Sequence, residues 1–521
     1  MPHDTLLKIK PRKYQQEIYN TCKEKNCLVV LPTGIGKTLI ALMLSIYCQK
    51  KYPATKTLFL APTRPLAQQH LEYFQKYLPE LWADMQLFTG KIKAEQRKKI
   101  WQTADIIFST PQCIANDLKK NLYNLSDVTL LIEDECHRCL KSYSYVYVVE
   151  KYKAQAKNKK ILGLTASPGS DNYTINQIAK NLGIDAIELR TRDSEDVKEY
   201  LQELDYKVVR IDFPEEFDKI RQLLKKIFDR KANELKNRKL LFGPSTKKNL
   251  LQTQGRIMKA IMSGNKHFNL LSGASACAQT IKLQHALELL ETQTLYSFHE
   301  YIQDIFEQAK QEKSKAVKQL VKQPEFNSAY ILLTELLAKK KEHPKLLELK
   351  SIIQQQITEN PKAKVIIFSQ YRSTVSRICK ELNSIEKINA KVFVGQAKKK
   401  TKSGEEIGLS QQEQKEIIKE FKSGKINILC STSIGEEGLD IPEVNAVIFY
   451  EPIPSAIRKI QRAGRTARLM KGNLIILMTR GTRDEAYYYA AFHKEKKMYK
   501  AIEDVKKELE NKTKAKQKTL F

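Results

Sequence analysis

The stretch Cys27-Leu28-Val29-Val30-Leu31-Pro32-Thr33-Gly34-Ile35-Gly36-Lys37-Thr38-Leu39-Ile40-Ala41-Leu42-Met43-Leu44 joins two apolar runs through a glycine-bearing turn. Cys27–Leu31 reads as a short buried strand and Leu39–Leu44 as the opening of a helix. A strand, a turn ending in Gly-Lys-Thr and then a helix is the layout of a phosphate-binding loop. Gly34 and Gly36 let the backbone aim N–H groups at an anion, and the helix N-terminus adds its positive partial charge. The octet Leu31–Thr38 is therefore the expected nucleotide cradle. Pro32, Thr33, Gly34, Ile35 and Gly36 make the turn, Lys37 reaches the β- and γ-phosphates, and the Thr38 hydroxyl offers itself to Mg²⁺. The strict pattern has Gly at position 31, where this chain has Leu.

Outward from that loop, short β-like runs alternate with helical stretches. The candidate strands are Leu28–Leu31, Thr57–Ala61, Met85–Phe88, Asp105–Ser109, Thr129–Glu133 and Lys160–Thr165. Each is apolar with little alternation, as a parallel sheet covered on both faces requires. This is a doubly wound α/β unit whose ligand belongs beyond the strand C-termini. A second series runs through Lys364–Ser369, Ala390–Val394, Ile426–Ser431, Asn445–Tyr450 and Asn473–Met478. Between them, Phe217, Ile220, Leu224, Ile227 and Phe228, and later Leu283, Leu287, Leu290 and Leu295, follow a helical period. Basic residues crowd the other faces: Lys219, Arg221, Lys225, Lys226, Arg230 and Lys231, then Lys310, Lys313, Lys315, Lys318 and Lys322. The expected organisation is α/β domain 1 over residues 1–211, a basic helical insertion over 212–341 and α/β domain 2 over 342–504. A flexible Lys-rich tail is expected over 505–521.

A length of 521 residues implies two to four domains. The formal charge of +31 points to a polyanionic partner. No apolar run is long enough for a membrane span and Met1–Thr5 has no signal-peptide layout, so a soluble intracellular protein is expected. Nine scattered cysteines, several inside apolar runs, fit reduced thiols. Cys136-His137-Arg138-Cys139 has no second Cys pair at zinc-ribbon spacing, so no zinc is expected.

Asp134-Glu135-Cys136-His137 follows the apolar run Thr129–Ile132. A carboxylate at a strand end beside a phosphate loop can hold Mg²⁺, the role assigned to Asp134, and Glu135 next to it can activate the attacking water. Far along the chain, Gln461-Arg462-Ala463-Gly464-Arg465-Thr466-Ala467-Arg468 places two arginines three apart. Phosphoryl transfer needs positive charge beside the γ-phosphate, so Arg465 and Arg468 are the expected finger residues and Gln461 a γ-phosphate contact.

The phosphate loop, the Asp-Glu-Cys-His box, Thr165-Ala166-Ser167, Ser431–Asp440 and the Gln461–Arg468 box occur in the order of superfamily 2 helicases. Leu at position 31 is ordinary there. Within that superfamily the chain resembles archaeal Hef and the FANCM branch-point translocases. The stretches Phe393–Gln396, Gly408–Gln411, Gly435–Val444 and Tyr450–Ser455 carry that likeness. The resemblance extends to about residue 500 and covers the helicase part alone. The XPF-type nuclease domain of euryarchaeal Hef has no counterpart in these residues, and Cys136 stands where the nearest relatives have Ala.

The resemblance implies two tandem RecA-like domains with ATP between them, a thumb-like insertion gripping duplex DNA, and action on branched or forked DNA. Double-stranded RNA is the alternative substrate. Gln15, in Arg12-Lys13-Tyr14-Gln15, would read adenine; Gly435, Glu437 and Asp440 would line the cleft; Thr165 and Ser167 would link hydrolysis to movement. Thr63, Arg64, Thr89, Gly90 and Thr110, with Ser369, Gln370, Tyr371, Arg372 and Thr432, would contact the nucleic-acid backbone. Gln517-Lys518-Thr519-Leu520-Phe521 resembles part of a PCNA-binding peptide. A cytoplasmic, nucleoid-associated location is expected.

Overall fold

Strand β1 (Cys27–Val30) is buried along its whole length and lies inside an all-parallel sheet. The computed structural model describes residues 9–79, 82–169, 171–312, 314–396, 399–400, 406–432, 441–463, 466 and 471–518. The side chains of 399–400, 406–407, 456–457, 459, 461 and 512–518 lie outside that description. With β2 (Lys56–Leu60), β3 (Met85–Phe88), β4 (Ile106–Ser109), β5 (Val128–Asp134), β6 (Lys160–Thr165) and β7 (Ala186–Leu189), β1 forms a sheet of order β3-β4-β2-β5-β6-β1-β7. Leu28 and Val30 feed the core on one face, Cys27 and Val29 the core on the other. The helices α1 (Lys13–Glu24), α2 (Lys37–Lys51) and α3 (Arg64–Tyr77) bury Tyr14, Ile18, Leu39, Leu42, Leu71 and Phe74 in that second core.

The second sheet contains β8 (Leu204–Ile211), β9 (Val365–Phe368), β10 (Ala390–Phe393), β13 (Ile428–Ser431), β14 (Ala446–Phe449) and β15 (Gly472–Thr479). Their order is β10-β13-β9-β14-β15-β8, again all parallel. Two-residue strands β11 (Lys399–Lys400) and β12 (Glu406–Ile407) pair separately. Every expected strand is present within two residues of its expected bounds.

Three expectations about organisation are corrected. Residues 204–211 do not close the first unit. As β8 they extend the second sheet, Leu204–Ile211 running in register with Gly472–Thr479. The reason is an open sheet edge at β15, which β8 covers with its own backbone groups. The tail is also not free from residue 505. One C-terminal helix spans Arg483–Lys518, and its Met498, Ala501, Ile502 and Val505 are buried in the first unit's core. Asn172 donates to Asp504 at 3.3 Å and Asn176 to Glu508 at 3.4 Å along the same contact. Finally, the apolar series ending at Leu295 spans two helices, broken after Thr292.

Between the sheets lie the helices Glu215–Asn237, Lys247–Met262, Phe268–Thr292, Leu295–Lys310, Lys315–Val321 and Pro324–Ala338. Phe217, Ile220, Leu224, Ile227 and Phe228 are buried in their shared core, as the period required. A buried polar cluster roots this bundle on the second unit. The Lys345 ammonium donates to the Thr292 carbonyl at 2.6 Å and to Asp484 Oδ2 at 2.7 Å, with both charged side chains fully buried. The Ser297 and Thr374 hydroxyls meet at 3.1 Å. No described helix is long and apolar enough to cross a membrane.

Candidate nucleotide site and nucleic-acid interface

The phosphate loop leaves β1 and enters α2 at Gly36, whose φ of 85° an L side chain rarely adopts. A Cβ there would also lie 2.3 Å from Gln15 Nε2. Gln15 braces the loop: its amide nitrogen donates to the Ile35 carbonyl at 3.2 Å and the Gly36 carbonyl at 3.4 Å. Its amide oxygen accepts from the Arg12 N–H at 2.8 Å. The Tyr14 hydroxyl donates to the same Ile35 carbonyl at 2.5 Å. The expected adenine reader is thus spent on the loop in this conformation. The Lys37 ammonium folds back onto the Leu31 carbonyl at 3.1 Å, and the Leu31 N–H donates to Thr165 O at 3.1 Å.

At the end of β5, Asp134 and Glu135 are buried beside the loop. Burial alone would raise the Asp134 carboxyl, but the His70 ring and the Lys37 charge outweigh it and hold the group below its ordinary range. Glu135 sits at φ 49°, a strained conformation for a side-chain-bearing residue and a common mark of functional positions. Its Oε2 lies 3.2 Å from His137 Nδ1. The same nitrogen is 3.2 Å from Thr165 Oγ1, which accepts from the Ser167 N–H at 3.1 Å. His137 therefore joins the box to the Thr165–Ser167 turn. The Thr33 and Ser167 hydroxyls are buried without a hydrogen-bond partner, as groups waiting for a ligand would be. Cys136 and Cys139 are buried thiols in the core under the box.

His70, which the sequence reading passed over, joins the two expected Mg²⁺ ligands. Its Nε2 lies 2.9 Å from Asp134 Oδ2 and its Nδ1 3.4 Å from Thr38 Oγ1. The sequence signal was slight: one histidine two turns into an ordinary amphipathic helix.

Across from the loop stands the helix Ala456–Ala463 of the second unit. A cavity of about 180 Å³ separates them, lined by Pro32, Thr33 and Ala166 on one side and Ile460 and Ala463 on the other. Gln461 lies on this helix with its side chain outside the described residues; Gly435, Glu437, Asp440, Arg465 and Arg468 are outside them altogether. Arg462 is buried with its guanidinium 4.8 Å above the Phe368 ring.

The expected backbone contacts divide. Thr63 caps α3, accepting from the Leu66 N–H at 3.5 Å, and Arg64 follows it; both are half-buried. Gly90 is exposed and Thr110 precedes the helix Pro111–Lys119 without a side-chain capping bond, whereas Thr89 and Thr432 are buried. Tyr371 and Arg372 are half-buried at the start of the helix Arg372–Leu382. Ser369 departs from expectation. It is fully buried, its hydroxyl 3.2 Å from Gln293 Oε1 and 3.0 Å from Glu451 Oε2, because β9 ends inside the polar root of the insertion. Gln370 likewise gives its N–H to Glu451 at 2.5 Å.

The tip of the insertion has a different character. Met262 and Phe268 are 84% and 79% exposed, and Phe242, Leu251, Met258 and Leu271 are exposed with them. Leu251, Gly255, Met258 and Met262 share one helix face. No acidic residue occurs between Glu234 and Glu288, while Lys248, Arg256, Lys259 and Lys266 are exposed there. By contrast Arg230 and Lys226, in the basic face expected from sequence, both reach Glu325.

Residues 12–175 match the DEAD/DEAH box helicase family, 345–470 the helicase conserved C-terminal domain, and 216–343 an RNA-helicase helical-bundle family. These matches define a two-domain helicase of superfamily 2. The solved helicase domain of Pyrococcus furiosus Hef is 42% identical, spans 94% of this chain and 100% of its own length, and superposes with a TM-score of 0.71. The chain belongs to the Hef/FANCM family of superfamily 2 helicases. A Methanocaldococcus jannaschii protein whose name proposes an ATP-dependent RNA helicase is 36% identical over 95% of this chain and 61% of its own length. The Neurospora crassa ATP-dependent DNA helicase mph1 is 33% identical over 91% of this chain and 41% of its own length. The chain thus spans less than two thirds of the curated relatives it matches.

Proposed function

We propose that this chain is an ATP-dependent DNA translocase or helicase acting on branched DNA such as replication forks. The carrying observation is that loop, box and Thr165–Ser167 turn share one sheet, the loop and the turn facing the Ala456–Ala463 helix of the other unit across a small cavity. ATP held there touches both units, so binding and hydrolysis bias a hinge between them. Lys37 and the loop N–H groups hold the phosphates, Glu135 orients and deprotonates the water, and Arg465 and Arg468 supply the finger charge. Thr38 and Asp134 suit Mg²⁺, an oxygen donor set beside the loop with Asp134 kept ionised. When bound, that ion neutralises charge on the β- and γ-phosphates.

The acid-free, apolar-tipped end of the insertion supports a nucleic-acid partner: lysines and arginines take phosphates while apolar side chains meet base faces. The mph1 relative, named as a DNA helicase, supports DNA. Double-stranded RNA is the rival, and Gln517–Phe521 is proposed as a PCNA contact in a nucleoid-associated protein. The test is ATPase stimulation by fork DNA, linear duplex and double-stranded RNA. Fork DNA should stimulate most, and Lys37→Ala and Glu135→Gln should each lose about 10²–10⁴-fold of turnover. Near-normal turnover in both variants, or stimulation by RNA alone, overturns the reading.

A further inference from the structure

Helix α3 begins at the Thr63 cap and Arg64, two of the expected strand contacts, and carries His70 six residues on, about 9 Å along its axis. His70 is 8% exposed, and its ring packs at a tilt of 32° against Phe59 of β2 with centroids 4.4 Å apart. An ionised carboxylate only accepts, so the bond to Asp134 puts the ring proton on Nε2. In the neutral ring Nδ1 then accepts from the Thr38 hydroxyl, whose oxygen keeps its lone pairs for a cation. One rigid helix therefore has its first turn at the expected nucleic-acid contact and a buried ring bonded to both members of the expected Mg²⁺ pair. Outer partners of this kind fix the orientation of metal-binding groups.

We propose that His70 is a positioning residue that couples occupancy of the Thr63–Arg64 contact to the geometry of Thr38 and Asp134. A nucleic-acid strand that shifts the start of α3 shifts the ring, and the ring carries the shift to the two oxygens. By linkage the coupling acts both ways, so nucleotide must alter DNA affinity by the same factor that DNA alters nucleotide affinity. This inference rests on the DNA-motor reading above.

The experiment measures binding on the full chain, with no turnover involved. Affinity for a non-hydrolysable ATP analogue with Mg²⁺ is determined with and without fork DNA, and affinity for fork DNA with and without the analogue. The wild type should give one reciprocal factor, on the order of 5–150-fold. His70→Phe keeps the aromatic contact with Phe59 and removes both hydrogen bonds; its factor should fall to within twofold of unity. His70→Gln, which can still donate to Asp134, should recover part of it. A His70→Phe factor equal to the wild type's overturns the inference and leaves the motor reading intact. A wild type with no coupling at all overturns both. A melting temperature within a few degrees of the wild type's certifies each variant as folded, and a His70→Phe that fails this check passes the decision to His70→Gln, whose undiminished factor overturns the inference.

Discussion

The root and the tip of the helical insertion are built on opposite rules. At the root, polar side chains are buried and bonded inward. Lys345 meets Asp484 and Thr292, Ser369 meets Gln293 and Glu451, and Ser297 meets Thr374. At the tip, apolar side chains such as Met262 and Phe268 face solvent, and the surrounding sequence has no acid from 235 to 287. Buried bonded networks fix a geometry, because each unpaired member would be costly. Exposed apolar surface with one sign of charge fixes nothing within the chain and waits for a partner. The insertion is thus anchored on the second unit by its buried root and leaves an apolar, basic tip exposed.

The contrast can be broken most severely at the root. Lys345→Met leaves Asp484 buried without its counter-charge and should destabilise the protein by about 3–5 kcal/mol in denaturant unfolding. A loss under 1 kcal/mol would mean that water reaches the cluster. Glu451 sharpens the same point through pH. Burial raises its carboxyl to about 7, against the pull of Lys345 and Arg462. Below its unfolded value of 4.5 the group is protonated in both states. As pH rises toward 7, the unfolded form ionises first, so stability should fall by roughly 3 kcal/mol over that window and then level off. Glu451→Gln should remove this decline in a melting series from pH 4 to 8; an unchanged slope would assign the decline to other groups.

At the tip the effects are smaller and fall on binding. Met262→Glu with Phe268→Glu should leave the melting temperature within a few degrees and weaken fork-DNA binding about tenfold or more, as lost stacking and added repulsion require. Unchanged fork binding would return the tip to a bare solvated surface. Gly255 offers the finest test. It lies mid-helix on the floor of an open groove of about 600 Å³ beside Phe242, Arg256 and Lys259, and a Cβ there meets nothing within 4 Å. Gly255→Ala should therefore stabilise the fold by about 0.5–1 kcal/mol in thermal melts. Loss of DNA affinity in the same variant would show what the open floor is for.

Much of this was legible in advance. Strands apolar on both faces announced parallel sheets, and the loop and box announced the nucleotide face. Where the reading failed, the deciding contact was distant. Leu204–Ile211 has a mixed exposure pattern that names no partner, and only the open edge at Gly472–Thr479, more than 260 residues on, makes it part of the second sheet. Val505 looked like tail because lysines surround it; it is buried because the first unit presents an apolar surface to the C-terminal helix. Ser369 looked like a phosphate contact because its neighbours fit a motif, and the insertion root claims it. His70 carries only the slight signal of one histidine in an amphipathic helix, which names neither of its partners.

The sequence by itself determined what depends on neighbours a few residues apart: which runs make strands or helices, where the backbone must turn at Gly36, and which residues can bear phosphate chemistry. Tertiary structure alone decided which sheet β8 joins, which polar groups are spent on one another, and that one histidine ties Thr38 to Asp134. The physical reason is range. Periodicity and turn chemistry are written in local steric and apolar patterns, whereas a hydrogen bond between residues 64 positions apart in the chain, as between His70 and Asp134, leaves no mark in either stretch until folding brings them together.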